Sequence, residues 1–278
     1  MRIATLGPAG TFSELAASEF AASVAASASL QFYPSLQRTL AAVGVDCEIA
    51  VVPLENIVEG VVSPVIDGLL KQPLQIIAEL SIPVRFSLVA NHHKPQRIYA
   101  QFVAQGQCSE ALARCNAPII STASNTEALH LLLAQEGPAA ALVPEHTIAE
   151  HSFAHVVHDV TDVAHNQTRF IVLQPSQDLP ARDPAQRYKS AIIIVDDADH
   201  PGLLVEHLQA FALARVNLTA LVSRPTGQRF GAYHFFIELE GHVHDANVQR
   251  ALALIKASNQ VIELGSYSYS NASASAAI

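Results

Sequence analysis

Asn166, Thr168 and Arg169 place an amide, a hydroxyl and a guanidinium within four residues, in His165-Asn166-Gln167-Thr168-Arg169-Phe170. The apolar run Ile171-Val172-Leu173 follows them and predicts a buried strand. The polar groups therefore fall where a loop enters a sheet, a common position for binding groups in α/β proteins. A second pair, Glu55 and Asn56, comes just past the carboxyl end of a strand predicted over 48–52, the usual ligand side of an open sheet. A third stretch, Gly7-Pro8-Ala9-Gly10-Thr11-Phe12-Ser13-Glu14, joins a predicted strand over 2–6 to a helix that Thr11 or Ser13 can cap. A glycine-rich turn leading into a helix start forms an anion pocket. Its spacing is neither that of a Walker loop nor GxGxxG, so a nucleotide is not implied.

The elements that must position these groups alternate through residue 175. A helix is predicted over 61–70, short strands over 76–82 and 84–90, and a helix after Gly106-Gln107-Cys108. A strand over 118–120 then leads to a helix beginning at Ser121-Thr122-Ala123. This order predicts an α/β domain of two lobes with a cleft. Pro175, Pro180 and Pro184 break the pattern and mark a linker. Beyond it come a strand over 189–195, a helix over 202–216, strands over 218–222 and 233–239, a helix over 246–257 and a strand over 261–264. That β-α-β-β-α-β order is the ferredoxin-like split unit. The predicted organisation is a catalytic domain over 1–176, a linker over 177–187, a small domain over 188–268 and a small-residue tail over 269–278.

The chain has 278 residues, suggesting about two domains, and half of them are hydrophobic, enough for sizeable cores. A net charge of −9 argues against a nucleic-acid partner. No apolar run reaches transmembrane length, so a membrane partner is not expected. The start Met1-Arg2-Ile3-Ala4-Thr5-Leu6-Gly7 does not read as a secretory signal, and a cytoplasmic protein is expected. Cys47, Cys108 and Cys115 are odd in number and lack zinc-type spacing, which predicts reduced thiols, with Cys108 a small buried hydrophobe rather than a nucleophile. His146, His151, His155 and His158 cluster in sequence, with His155 and His158 able to share a helical face. They lack convergent acidic or thiol partners, so no metal is expected.

Taken in order, Gly-Pro-Ala-Gly-Thr-Phe-Ser, Val-Pro-Leu-Glu-Asn, Gly-Gln-Cys, Ser-Thr-Ala and Asn-Gln-Thr-Arg-Phe, followed by Pro-Gly-Leu-Leu, Ser-Arg-Pro and Glu-Leu-Gly-Ser-Tyr, make the chain resemble a known family over nearly its whole length. That family is the monofunctional bacterial prephenate dehydratases with a C-terminal ACT regulatory domain. The resemblance implies a two-lobed periplasmic-binding-protein-like catalytic domain and a ferredoxin-like ACT domain. It implies conversion of prephenate to phenylpyruvate with loss of carbon dioxide and water, in phenylalanine biosynthesis. Phenylalanine would bind the ACT domain as a feedback effector, no cofactor would be required, and the chain would form a homodimer or homotetramer.

By the same resemblance Thr168 donates a hydrogen bond to the departing ring hydroxyl, with Glu55, Asn56 and Gln107 as the other catalytic residues. Thr11, Phe12, Ser13, Ser121, Thr122, Ala123, Asn166, Arg169 and Phe170 bind substrate, Arg169 either touching it or bracing the loop. Phenylalanine would meet Gly202, Leu203, Leu204 and Val205, facing Asn217, Leu218, Ser223, Arg224 and Pro225. The chain departs from the family at Ile57, where serine is usual, at Ala100-Gln101-Phe102-Val103, where Ser-His-Pro-Gln is common, and at Val222, where glutamate is usual. The first two remove hydroxyl and imidazole contacts from the cleft, and the third bears on effector control. Two further readings are a lyase that decarboxylates prephenate without aromatising it and a catalytically inactive amino-acid sensor. The Thr168 motif and the ACT pattern weigh against the lyase.

Overall fold

The computed structural model describes residues 1–24, 27–177, 182–195, 200–227 and 231–269. The first elements are β1 (Arg2–Leu6), α1 (Phe12–Val24), β2 (Ser29–Tyr33), α2 (Leu36–Ala41), β3 (Ile49–Asn56), β4 (Gly60–Val61) and α3 (Ser63–Leu69). Next come β5 (Leu74–Pro83), β6 (Phe86–Ala90), β7 (Ile98–Gln101), α4 (Phe102–Gln107), α5 (Ser109–Arg114), β8 (Ile119–Thr122) and α6 (Asn125–Leu133). Then follow β9 (Ala140–Pro144), β10 (His155–Val157), β11 (Gln167–Pro175), β12 (Tyr188–Val195), α7 (Leu203–Leu213), β13 (Leu218–Pro225), β14 (Tyr233–Glu240), α8 (Ala246–Lys256) and β15 (Gln260–Ser268).

The chain forms two compact units. The first gathers Met1–Thr39, Val51–Val62 and Leu80–Phe170, and the second Leu40–Ala50, Ser63–Glu79 and the chain from Ile171 onward. Strands β3, β5 and β11 each lend residues to both. The segments 40–50 and 63–79 thus cluster with the C-terminal part of the chain, a different partition from the predicted boundary at 176. Residues 178–181 of the predicted linker and 270–278 of the predicted tail lie outside the described residues.

One six-stranded sheet runs β2-β1-β3-β11-β5, with β4 paired to β3. In the first unit a five-stranded sheet runs β10-β6-β9-β7-β8. Its strands alternate as a two-sided sheet requires. Ile98, Ala100, Ala140 and Leu142 face α4 and α5 through Ala104, Cys108 and Leu112. Tyr99, Ala141 and Val143 face Ala128, Leu129 and Leu132 of α6. In the second unit β13-β14-β12-β15 form an antiparallel sheet, giving the predicted βαββαβ order. Ile192, Ile194, Phe235, Ile237 and Leu239 pack against Phe211 of α7 and Leu252 and Ile255 of α8. Within the same unit Lys189 pairs with Glu79 at 2.7 Å, and both Arg224 Nε and Nη2 donate to the Asp67 carboxylate at 2.8 Å.

Several strands extend further than their polar ends suggest. β3 continues through Glu55 and Asn56 because Gly60 and Val61 turn back to pair with them, so both residues end a strand rather than follow it. β11 already begins at Gln167, placing Thr168 and Arg169 on the strand. Ser121 and Thr122 belong to β8, with Ala123 after it, and α6 starts only after the Ser124 cap. Gln107 closes α4, and the helix expected after Cys108 follows as α5, while Ser223 to Pro225 extend β13. His155 opens β10 and His158 follows it, so the pair does not share a helical face.

Candidate active site

Asn56 is the hub of the first unit's polar cluster. Its side-chain oxygen accepts from the backbone N–H groups of Val58 and Glu59, both at 2.9 Å. That fixes the amide's orientation, since a backbone N–H can only donate. The Asn56 Nδ2 group then donates to Asn166 Oδ1 at 2.9 Å, to the Gln167 carbonyl at 3.1 Å and to Thr168 Oγ1 at 2.9 Å. Asn166 Nδ2 passes the pattern on to Gln107 Oε1 at 3.1 Å, and Gln107 Nε2 donates to Glu59 Oε1 at 3.1 Å. The structure therefore brings together four of the residues picked from sequence: Asn56, Gln107, Asn166 and Thr168. Asn56, Gln107 and Asn166 are buried, so each amide gains from having its partners within the protein.

The pleat of β3 and β11 separates these from Glu55 and Arg169. Successive side chains on a strand point to opposite faces, and Arg169 Nε donates to Glu55 Oε1 at 2.9 Å on the side away from Asn56 and Thr168. Both sides of this strand end meet one cavity of about 350 Å³, lined by Glu55, Asn56, Ile57, Ser81, Gln167 and Arg169. Phe170, 1% exposed, is core.

The two predicted anion-binding helix starts carry carboxylates of their own. Thr11 Oγ1 accepts from the Glu14 N–H at 3.4 Å while the Glu14 carboxylate receives the Gly10 N–H at 2.5 Å. At α6 the Ser124 hydroxyl accepts from the Glu127 N–H at 3.0 Å and the Glu127 carboxylate receives the Ala123 N–H at 2.6 Å. These resemble capping boxes, with each glutamate reaching one residue further back than the cap, and the Thr-x-x-Glu and Ser-x-x-Glu spacings were present in the sequence. The two starts are neighbours: Thr126 of α6 donates to the Ala9 carbonyl at 2.5 Å. Ser13 is buried beneath the turn, its carbonyl taking the Thr5 hydroxyl, and Phe12 lies edge-on to Phe86 and His146. Ser121 Oγ accepts from Gln105, and Thr122 Oγ1 donates to the Ser124 carbonyl. Gln101 replaces the usual imidazole by capping α4, its Oε1 accepting from Val103 and Ala104 N–H.

Cys108 is fully buried, and burial together with Asp162 and Asp159 pushes its thiol up to about 12. A thiol held so far from ionisation is not a nucleophile. Among the described residues no group of three or more His, Cys, Asp or Glu side chains is arranged to hold a metal ion.

In the second unit, Gly202, Leu203, Leu204 and Val205 line a cavity of about 220 Å³ together with His200, Gly231, Tyr233 and Phe235. Gly202 has φ +95°, a conformation that favours glycine, immediately before α7. The sequence reading missed the two aromatic walls, which sit on β14, thirty residues along the chain. Leu218 packs at the edge of the helix-facing core, and Arg224 is held by Asp67. Asn217, Leu218, Ser223, Arg224 and Pro225 are not among the residues lining this cavity.

Comparison with known proteins identifies relatives. The prephenate dehydratase family matches residues 3–178. A prephenate dehydratase of Mycolicibacterium smegmatis is 34% identical over 96% of this chain and 90% of its own length. A bifunctional chorismate mutase/prephenate dehydratase of Aquifex aeolicus is 32% identical over 96% of this chain and 73% of its own. The crystal structure of the Arthrobacter aurescens prephenate dehydratase in complex with L-Phe superposes with a TM-score of 0.85, at 32% identity, covering 98% of this chain and 91% of that one.

Proposed function

The chain belongs to the prephenate dehydratase family, and from that premise we propose that it turns prephenate into phenylpyruvate at the cluster formed by Thr168, Asn56, Asn166 and Gln107. One observation carries this assignment. Thr168 Oγ1 accepts from Asn56, which leaves its own hydroxyl hydrogen to be given away. In the reaction the bond to the ring carboxylate breaks and releases carbon dioxide, its electron pair enters the ring, and the ring C–O bond breaks. The departing oxygen takes up a proton and leaves as water. Negative charge develops on that oxygen, and a donor held ready for it stabilises the transition state by about 3 kcal/mol. Threonine's own hydroxyl is too weak an acid to be the final proton source, so Thr168 acts as a hydrogen-bond donor. Gaining an aromatic ring supplies the driving force.

Gln107 provides a donor for a substrate carboxylate, whereas the starts of α1 and α6 are already occupied by the Glu14 and Glu127 carboxylates. Glu55 and Arg169 brace the β3–β11 pair from the opposite face. Phenylalanine is the proposed effector, taken by the cavity at Gly202 to Val205 in a ferredoxin-like ACT domain over 188–268. The phenylalanine complex of the Arthrobacter relative and the aromatic lining of Tyr233 and Phe235 support this. A homodimer or homotetramer fits the exposed Val205, Leu213 and Leu254 on α7 and α8. Among the described residues no helix is long and apolar enough to cross a membrane, and the proposed location is the cytoplasm.

Incubating the purified chain with prephenate tests the activity. Phenylpyruvate absorbance should appear as prephenate disappears. Loss of prephenate without that product would indicate decarboxylation alone, and no turnover would indicate a sensor.

A further inference from the structure

We propose that Glu59 is a positioning residue of the dehydratase reaction, closing a one-way ring of hydrogen bonds that holds Gln107 and, through the amides, Thr168. The proposal rests on the prephenate dehydratase reading. The ring begins and ends on Glu59. Its backbone N–H donates to Asn56 Oδ1, Asn56 Nδ2 to Asn166 Oδ1, Asn166 Nδ2 to Gln107 Oε1, and Gln107 Nε2 to the Glu59 carboxylate. Every donor points the same way round. The direction is fixed at both ends, because a backbone N–H has no acceptor and an ionised carboxylate has no proton. Each amide thus carries its oxygen toward the preceding donor and its nitrogen toward the next acceptor. Thr168 hangs from this ring as a branch off Asn56.

Hydrogen bonds aligned in one direction polarise one another, and the final one, to a charged acceptor, is the strongest type in the set. Two consequences follow for the reacting groups. Gln107 spends one Nε2 hydrogen on Glu59 and keeps the other for substrate. Thr168 remains an acceptor toward Asn56 and hence a donor toward the leaving oxygen. Glu59 also ties the turn between β3 and β4 to the end of α4, the helix that follows β7 of the five-stranded sheet. Its side chain is exposed, so it adds nothing to a core, and its effect on the site runs through the hydrogen bond it accepts.

Steady-state kinetics of the full chain with prephenate test this. Glu59→Leu should lower kcat about tenfold, near the low end for losing a hydrogen bond to a charged group, with KM shifted less than about twofold and the thermal midpoint within about 1 °C. Glu59→Gln keeps an oxygen acceptor and should recover to within about threefold of the unaltered chain. In a Gln107→Ala background, Glu59→Leu should cost nothing further, because the acceptor has lost its donor. Full activity in Glu59→Leu would overturn the proposal. So would an equal loss in the Gln107→Ala background, no recovery in Glu59→Gln, or a lowered midpoint that accounts for the lost rate. Failure of the unaltered chain to make phenylpyruvate would instead overturn the dehydratase reading on which the ring's role depends.

Discussion

At the scale of single residues, Thr168 is both donor and acceptor, and its neighbours decide which role faces the substrate. Asn56 donates to its oxygen at 2.9 Å, so the proton is directed elsewhere. Thr168→Ala should reduce kcat by about a hundredfold or more, and Thr168→Ser, which keeps the hydroxyl, should restore most of it; phenylpyruvate formation is the measurement, and undiminished turnover in Thr168→Ala would remove Thr168 from its role. Cys108 presents the opposite case, a reactive group that its surroundings silence. With the thiol pushed up to about 12, iodoacetamide at about pH 8 should leave Cys108 unmodified in the folded chain and label it after denaturation, as read by peptide mass. The residue types around Thr168 could be read from the sequence, as could the motif order. What could not be read was which of them share a face. Glu55 and Asn56 are adjacent in sequence yet serve opposite sides of a sheet, and only the pairing of β3 with β11 shows it. Glu59 escaped notice for a similar reason: its partner, Gln107, is 48 residues away.

At the scale of elements, most helices and strands were legible because their apolar periods are long and regular. The misplaced ends have one cause. Gln167 reads as loop and Ser121 and Thr122 as a helix start by composition, but cross-strand hydrogen bonds satisfy their backbones and carry the strand through them. Turn glycines were partly legible too, and Gly265 shows what composition hides. It interrupts β15 at φ +128°, and a Cβ there would lie 2.3 Å from the Ile76 carbonyl oxygen. Gly265→Ala should destabilise the protein by about 3 kcal/mol, combining backbone strain with a clash against main chain that cannot swing aside. Chemical denaturation would show this as a lowered midpoint at unchanged slope, and a wild-type midpoint would refute the close approach.

At the scale of the whole molecule, the buried His242 and the half-buried His146 link folding to acidity. Burial lowers the affinity of His146 for a proton, against the pull of Glu14 and Glu150. Burial likewise lowers that of His242, helped by His244, while its Nδ1 accepts the His244 N–H. Both folded-state values lie below the ordinary value of about 6.5, so the unfolded chain binds protons first as pH falls. Their contribution is fully present above that value and is lost below it. The thermal midpoint should therefore hold steady from about pH 8 to 7 and decline below about 6.5, and His242→Asn should lessen the decline; a decline as steep as that of the unaltered chain would remove His242 from the account. The division of the chain carries a different consequence, one for synthesis on the ribosome. In the order β2-β1-β3-β11-β5, the strand between β3 and β5 is the last of the set to be made. The earlier strands must wait, their inner edges unpaired, until residue 175 has emerged. A fragment truncated at the linker would regain that strand but leave Asp67 and Glu79 without Arg224 and Lys189. Nascent chains stalled before and after β11 should differ sharply in protease resistance, with the gain arriving late and all at once.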